Sequence, residues 1–191
     1  MNNMISLTES STPRTTWINP DLNICIVKED SEGNKSWLYA KNIVTNDGDL
    51  YYAQKSAGES ATSDFGGSNG RMELRTGTAT PAKGDTYNSV TTPVTASRKA
   101  LDSNYPKTND GDSDNTGAGV DIVTYKFSWT TSQIDTSSGN AITGGCIVDK
   151  AATLGGSVKI LTHWNFSSPA SFHKTSTDTL TLYVNHTMNG V

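Results

Sequence analysis

The chain has 191 residues, a formal net charge of -4 and a hydrophobic share of 34%, with 17 Gly and 6 Pro. This length fits one domain, or one domain with an arm, and the low apolar share suggests that neighbouring subunits complete part of the core. The acidic balance and the lack of a Lys/Arg cluster exclude the electrostatic signature of a nucleic-acid binder. Neither a secretory signal pattern nor an apolar membrane span is present in this sequence, so we expect a chain made in a cytoplasm, with no nucleic-acid and no membrane partner.

The first part of the chain reads as a polar tail followed by short strands. Residues 1–14 form the flexible N-terminal tail, and residues 15–54 a region of short β-strands. A hairpin turn is predicted at Asn46–Asp49, where Asp-Gly is a typical turn pair, and it leads into a strand at Leu50–Ala53. The earlier strands of this region are predicted at Thr15–Ile18, Asn23–Lys28 and Lys35–Val44.

Residues 55–118 contain few apolar positions and many residues that favour turns. Strand fragments are predicted at Arg71–Arg75 and Tyr87–Val94, and a helical turn at Ser97–Asp102 with Ser97 as its N-cap. A plain loop of this length is uncommon in a compact domain. We expect either a disordered linker or, preferably, an irregular extended arm ordered on another subunit. Its single apolar anchors are Phe65, Met72, Leu74, Tyr87, Val90, Val94, Leu101 and Tyr105.

Residues 119–191 carry the clearest strand pattern. Apolar and aromatic residues alternate along Val120–Thr131, which places every second side chain on one face of a strand. The residues that share this face are Val123, Tyr125, Phe127 and Trp129. Further strand patterns follow at Ile147-Val148, Val158–Phe166 and Asp178–Met188, with a turn at Leu154–Gly156 between the first two. The chain is predicted to be all-β: an antiparallel β-sandwich or barrel-like module with a long irregular arm, completed by a C-terminal β-meander over 119–191, with no helix longer than a turn or two.

Six short motifs of this block follow one another in a recognisable order. They are Tyr125–Trp129, Ile142-Thr143, Gly155-Gly156, His163–Phe166, Phe172–Thr175 and Asp178–Val184. This order resembles a segment of virion structural proteins of tailed bacteriophages, particularly marine and cyanobacterial phages. The sequence departs from that pattern at Thr143-Gly144-Gly145, where an acidic residue is expected after the threonine. The resemblance implies a particle protein without indicating which part of the particle it occupies.

One acidic segment has the ligand spacing of a calcium loop. Asp110, Asp112 and Asp114 alternate along the chain, and Asp121 stands at the twelfth position counted from Asp110. The sixth position is Asn115 instead of glycine, the twelfth is Asp instead of Glu, and no flanking helices are predicted. The four aspartates are therefore candidate calcium ligands, with a solvated acidic loop as the preferred interpretation. No other cofactor is predicted.

The cysteines and histidines do not form a recognisable catalytic or metal motif. Cys25 and Cys146 lie in apolar runs and are interpreted as buried reduced thiols, the alternative being a disulfide formed after release from the cell. His163, His173 and His186 lie in the C-terminal strands without the spacing of a zinc site or of a nucleophile motif. We interpret them as polar side chains on sheet faces.

Two further residue sets bear on sugar chemistry. Aromatic side chains on strands are usually core or subunit interface, although they could also form a sugar-binding platform. These aromatics are Trp17, Trp37, Tyr39, Tyr51, Tyr52, Trp129, Trp164 and Tyr183. The turn aspartates are too scattered to predict the paired carboxylates of a glycoside hydrolase. They are Asp85, Asp135, Asp149 and Asp178.

The sequence thus favours a non-enzymatic virion structural protein of a tailed phage. A capsid decoration (cement) protein is the first choice, because an acidic, lightly apolar chain suits the outer shell. The alternatives are a neck or tail component and a receptor- or glycan-binding adhesin. The expected partners are the major capsid protein or other virion proteins, together with further copies of the chain, for example in a trimer.

Overall fold

The computed structural model describes residues 23–67, 69–77, 79–90, 92–139, 141–149, 157–166 and 171–188. Within them the chain forms ten strands and one helix. These are β1 Ile24–Glu29, β2 Lys35–Ala40, β3 Asn42–Val44, α1 Asn46–Ser56, β4 Arg71–Arg75, β5 Lys99–Ala100, β6 Lys107–Thr108, β7 Ile122–Trp129, β8 Gly144–Val148, β9 Ile160–Asn165 and β10 Thr179–Thr187. The predicted tail 1–14, the strand at Thr15–Ile18 and the turn at Leu154–Gly156 lie outside the described residues.

The strands form two five-stranded sheets. The first sheet has the order β2-β1-β10-β7-β6 and the second the order β3-β9-β8-β4-β5. All strand pairs are antiparallel. The two sheets share one large apolar core, so the predicted all-β sandwich class is confirmed.

The core is built by alternation along the strands. In β7 the buried side of the strand carries Tyr125, Phe127 and Trp129, with Val123 packed at its margin, as predicted. The first sheet adds alternate residues of β1 and β10, and the second sheet adds those of β4, β8 and β9. The main contributors from these strands are Ile24, Ile26, Leu180, Leu182, Val184, Met72, Leu74, Ile147, Leu161 and Trp164.

The C-terminal strands do not form a meander, which corrects the prediction for residues 119–191. β7 and β10 are neighbours in the first sheet, whereas β8 and β9 pair in the second. The chain therefore crosses from one sheet to the other after β7 and returns before β10. Strand periodicity identifies each strand but carries no information on its neighbour, because pairing depends on residues distant in sequence.

The expected hairpin turn at Asn46–Asp49 is instead the first turn of helix α1, so the expectation of no helix beyond a turn or two was wrong. The Thr45 side chain caps the helix by accepting a hydrogen bond from the Gly48 amide at 3.2 Å. Asp47 and Asp49 lie in the first turn, where carboxylates complement the helix dipole. A Cβ on Gly48 would come within 2.2 Å of the Leu161 carbonyl oxygen, so this glycine serves close packing on β9.

The described parts of residues 55–118 pack on the domain instead of extending away from it as an arm. They supply β4, β5 and β6, and the predicted anchors Phe65, Met72, Leu74, Val90 and Val94 are buried within this chain. The predicted strand at Arg71–Arg75 is confirmed as β4. The other two expectations need correction: residues 87–90 form turns and a bend, Pro93 forms one isolated bridge, and Lys99–Ala100 is a strand instead of a helical turn.

The unexpected Gly144-Gly145 pair has a packing reason in β8. A Cβ on Gly145 would lie 2.8 Å from the Trp164 ring, and one on Gly144 would lie 2.4 Å from the Trp164 carbonyl oxygen. The two glycines let the strand pass a fully buried tryptophan. In the part of the chain that the structure describes, no helix has the length and apolar character needed to cross a membrane.

Candidate functional site

The predicted acidic loop lies across the outer face of the first sheet. Asn115 is its buried anchor: its amide nitrogen donates to the side-chain oxygens of Asp110 at 3.0 Å and Asn185 at 3.1 Å. The Asn185 amide donates back to the Asn115 oxygen at 2.9 Å, and the Thr124 hydroxyl donates to Asn185 at 2.8 Å. This exchange between β7, β10 and the loop holds residues 110–117 against the sheet.

Each of the three loop carboxylates is paired with a lysine from the sheet. The ion pairs are Lys107–Asp110 at 2.9 Å, Lys126–Asp112 at 2.7 Å and Lys35–Asp114 at 2.7 Å. The loop is therefore a set of structural ion pairs laid over β2, β6 and β7, and a bound cation would have to compete with the three ammonium groups.

The central carboxylate, Asp112, has a lowered pKa. Burial opposes ionisation of Asp112, but hydrogen bonds from the Lys126 ammonium and the Tyr183 hydroxyl, each at 2.7 Å, lower its pKa to about 2. Lys126 also lies over the Tyr183 ring at 5.3 Å. Asp112 thus stays charged at neutral pH and ties the loop to two neighbouring strands.

The structure separates the fourth calcium candidate from this arrangement. Asp121 is exposed at the start of β7, where its backbone carbonyl accepts from the Met188 amide at 2.8 Å. Among the described residues, no group of three or more His, Cys, Asp or Glu side chains is placed to bind a metal ion. The loop sequence brings three aspartates to one face but engages each of them with a protein cation.

A second buried charged cluster, which the sequence analysis missed, covers the outer face of the second sheet. The Glu73 carboxylate pairs with the Arg75 guanidinium at 2.8 Å and with Arg98 at 3.2 Å, and it accepts from the Tyr87 hydroxyl at 3.3 Å. Arg75 also lies over the Tyr87 ring at 5.0 Å. The only sequence signal is the alternation Arg71-Met72-Glu73-Leu74-Arg75, which predicts a solvent-facing polar side that the turns at residues 79–90 in fact cover.

The same face brings together a cysteine, a histidine and an aspartate. Cys146 in β8 is the register partner of His163 in β9, and the His163 Nδ1 lies 2.7 Å from the Asp85 carboxylate. These are the residue types of a cysteine nucleophile with its base and orienting acid. Here the thiol has no access to solvent, because Cys146 is 0% exposed. Its Sγ accepts a hydrogen bond from the Arg75 Nε at 3.0 Å.

The protonation states of Cys146 and His163 also favour a structural role. Burial raises the pKa of the Cys146 thiol to about 11, although the Arg75 charge opposes the shift. Burial also lowers the pKa of His163, although Asp85 opposes it. A neutral thiol without solvent access neither attacks a substrate nor receives one, so we interpret these residues as structural. Cys25 lies in β1 of the other sheet, and both cysteines are free and buried, as preferred from the sequence.

The remaining histidines have separate partners. The Nδ1 of His173 lies 2.6 Å from the Thr136 carbonyl, and that of His186 lies 2.5 Å from the Tyr52 hydroxyl. Burial lowers the pKa of His186 to about 3. His186 contacts Tyr125 on the core side of the first sheet, which corrects the expectation that it occupies a polar sheet face.

The aromatic side chains mostly support the core interpretation. Trp129, Trp164, Tyr51 and Tyr183 are buried, and Trp37, Tyr39 and Tyr52 are partly buried. Trp17 lies outside the described residues. Among the aromatics considered above that lie within the described residues, only the edge-strand pair Trp37 and Tyr39 combines partial exposure with a position on an outer sheet face.

The scattered aspartates shape turns. Asp135, Asp149 and Asp178 accept backbone hydrogen bonds from Ser137, Lys159 and Thr175, respectively. Asp85 belongs to the His163 pair described above. None of these contacts joins two carboxylates in the manner of a glycosidase.

The motif residue Lys174 has a role that the sequence did not indicate. Its ammonium group is buried and donates to the carbonyl oxygens of Thr131, Ile134 and Thr175 at 3.1–3.3 Å. Burial lowers its pKa, although nearby Asp178 and Asp135 raise it. The lysine thereby joins the loop after β7 to the segment before β10.

Ionisable side chains thus fasten the loop at residues 110–117 to the first sheet and the turns around Asp85 and Tyr87 to the second. Comparisons of the chain with protein-family models, with curated proteins and with solved structures gave no match. The functional assignment therefore depends on the residues and their geometry.

Proposed function

We propose that this chain is a non-enzymatic structural protein of a tailed-phage virion and that it decorates the capsid shell. The observation that carries the proposal is the use of the chain's charged and nucleophilic side chains to fasten its own polar segments over the two sheets. A module whose polar segments are fastened to its own sheets suits a part that adds mechanical stability to an assembly. The order of motifs along 125–184 supports the same class of protein.

Attachment requires surfaces that the fold leaves open. Val120 is 79% exposed and Met188 is 38% exposed. The Met188 amide donates a hydrogen bond to the carbonyl of Asp121, the residue that follows Val120. We name these two side chains the apolar end patch. Their proximity at one end of the first sheet gives an anchor for a capsid subunit.

The edge of the first sheet offers a second contact. Within the described residues, β2 pairs with β1 on one side and has no strand on the other. An extended segment of a neighbouring capsid or decoration subunit could add to this edge through backbone hydrogen bonds. Weak contacts of this kind become effective through the copy number of the shell.

The test uses particles that lack the protein. We expect purified chain to bind them at a copy number comparable to that of the major capsid protein and to raise the temperature of genome release, because a ligand of the assembled shell stabilises it by mass action. Val120→Asp should weaken this binding. Leu50→Asp, which changes an exposed apolar residue on α1, is the matched control and should bind normally.

Copy number separates the proposal from its alternatives. A dozen or fewer copies at one vertex, with an unchanged release temperature, would replace decoration by a neck or tail role. Binding to host glycans with no attachment to bare particles would favour an adhesin. If Val120→Asp and Leu50→Asp bind equally well, the apolar end patch is not the anchor.

A further inference from the structure

Among the described strands, three of the four sheet edges are short. β5 and β6 have two residues each, and β3 has three. The two-residue strands also carry a lysine each, Lys99 in β5 and Lys107 in β6. Short edge strands and lysines are common means by which a protein prevents its sheets from pairing with another chain. These three edges are therefore poor templates for an added strand.

The fourth edge, β2, lacks this protection. Its six residues contain no proline, and their register with β1 runs from end to end without a bulge. Its one charged side chain, Lys35, is engaged by Asp114 at 2.7 Å. No other described strand lies on its outer side. β2 is thus the edge of the described sheets with the length and regularity to pair with a further strand.

The side chains of β2 carry apolar surface to this edge on both faces of the sheet. On the inner face, Leu38 packs against the large core. On the outer face, Trp37 and Tyr39 pack against the apolar cluster of β1 and β10. All three side chains are only partly buried. A strand added beside β2 would therefore gain side-chain contacts on both faces in addition to backbone hydrogen bonds.

We propose that β2 of one copy pairs antiparallel with β2 of a second copy, which joins the two first sheets across a two-fold axis. Among the edges of this chain, another β2 is the one that matches β2 in length. Directly opposite residues of an antiparallel pair lie on the same face. The pairing therefore continues the inner row at Leu38 and the outer row at Trp37 and Tyr39 from one copy into the other. A two-fold contact of this kind closes on itself and forms a dimer.

The size of the contact predicts a weak dimer. A strand of six residues is about 20 Å long, so its pairing should bury less than the roughly 1,200–2,000 Å² of a standard interface. Because it names the subunit that occupies the β2 edge, the inference rests in part on the proposed function. The two are nevertheless tested separately: dimerisation is measured on the purified chain, and decoration is measured on particles.

The test is sedimentation equilibrium of the purified full chain from micromolar to submillimolar concentration. We expect the mean mass to rise from the 20.4 kDa of the monomer towards twice that value. Hydrogen exchange, followed by mass spectrometry at the two ends of the series, locates the contact. Exchange should slow at least threefold in β2 at the higher concentration, whereas the short edge β5 should exchange at the same rate throughout.

Three variants complete the test. Trp37→Lys and Tyr39→Lys each add a charge to the outer row of the edge and should raise the dissociation constant of the dimer at least tenfold. The Trp37 indole nitrogen has no hydrogen-bond partner among the described residues, so Trp37→Lys breaks no side-chain hydrogen bond. Leu50→Lys, which places the same charge at an exposed apolar position of α1, is the matched control and should dimerise like wild type.

Circular dichroism checks that each variant is folded, and Tyr39→Lys keeps the test valid if Trp37→Lys does not fold. Three results would overturn the proposal. They are a chain that stays monomeric over the whole series, a dimer or trimer that forms without slower exchange in β2, and undiminished dimerisation of the folded lysine variants of β2.

Discussion

Replacing Trp129 tests whether the alternate apolar side chains of β7 stabilise the core. The Trp129 side chain is 2% exposed and packs between the two sheets. Its indole Nε1 donates to the Ser97 carbonyl at 3.1 Å, which ties β7 to the bend before β5. Trp129→Ala therefore removes a large apolar contact and leaves a buried carbonyl without its donor.

The expected loss can be worked out from this burial. A buried tryptophan side chain removes about 200 Å² from water, which corresponds to about 5 kcal/mol at about 25 cal/mol per Å². Alanine retains part of this area, whereas the cavity adds a cost, so the free energy of unfolding should fall by about 3–5 kcal/mol. For a domain of this size, that change lowers Tm by about 6–20 °C.

Urea unfolding followed by circular dichroism measures the effect without relying on tryptophan fluorescence. Trp129→Phe is the informative comparison, because it keeps an aromatic ring but loses the indole hydrogen bond. It should lower the free energy of unfolding by about 1–2 kcal/mol. Trp37→Ala, on the partly buried edge strand, is the positional control and should cost less than Trp129→Ala. A Tm for Trp129→Ala within about 2 °C of wild type would refute the core assignment of this residue.

Three further perturbations address buried charges. The pKa of His186 is about 3 in the fold against 6.5 when unperturbed, so His186 of the unfolded chain takes up a proton at a higher pH than that of the folded chain. The free energy of unfolding should therefore fall by up to about 4 kcal/mol as pH drops from 6.5 towards 3. His186→Gln should flatten this pH dependence in urea unfolding at pH 7, 5 and 4, and an unchanged slope would contradict the assignment. Lys174→Met should lower the free energy of unfolding, measured in urea, by about 3 kcal/mol or more, because three carbonyls lose their donor. Lys83→Met, which removes an exposed ion pair, should lower it by less than about 1 kcal/mol. Calcium at millimolar concentration should leave Tm unchanged, because lysines engage the carboxylates of the 110–114 loop; a rise of several degrees that Asp112→Asn abolishes would establish a calcium site instead.

The strands of this fold were readable from sequence wherever local alternation is strong. β1 and β7 lie where the pattern predicts them, and β10 matches the last run of β-branched and aliphatic residues. The single strand predicted at Lys35–Val44 is instead two strands, β2 and β3, which belong to different sheets. The fold class follows from the same information. The preference of these residues for a half-buried pleated surface is local, so it survives without knowledge of neighbours.

The helix and the middle segment show where local information fails. Asn46–Asp49 has the composition both of a turn and of a capped helix start, and the packing of Gly48 on β9 is a tertiary contact that the local sequence does not reveal. Residues 55–118 have too few apolar side chains to predict a packed segment. Phe65, Met72, Leu74 and Val94 nevertheless reach the shared core, and side chain–backbone hydrogen bonds such as those of Ser97 fasten the bend before β5 to β4.

The candidate sites divide in the same way. The acidic loop was visible in the sequence as a run of carboxylates, but its pairing with Lys35, Lys107 and Lys126 depends on three strands from separate parts of the chain. The cluster around Glu73 and Arg98 was invisible, because alternating polar residues in a strand normally face water. The sequence by itself determined strand periodicity and the polar character of the connections. Only the tertiary structure decided which strands pair and which charges are buried, because both depend on contacts between residues far apart along the chain.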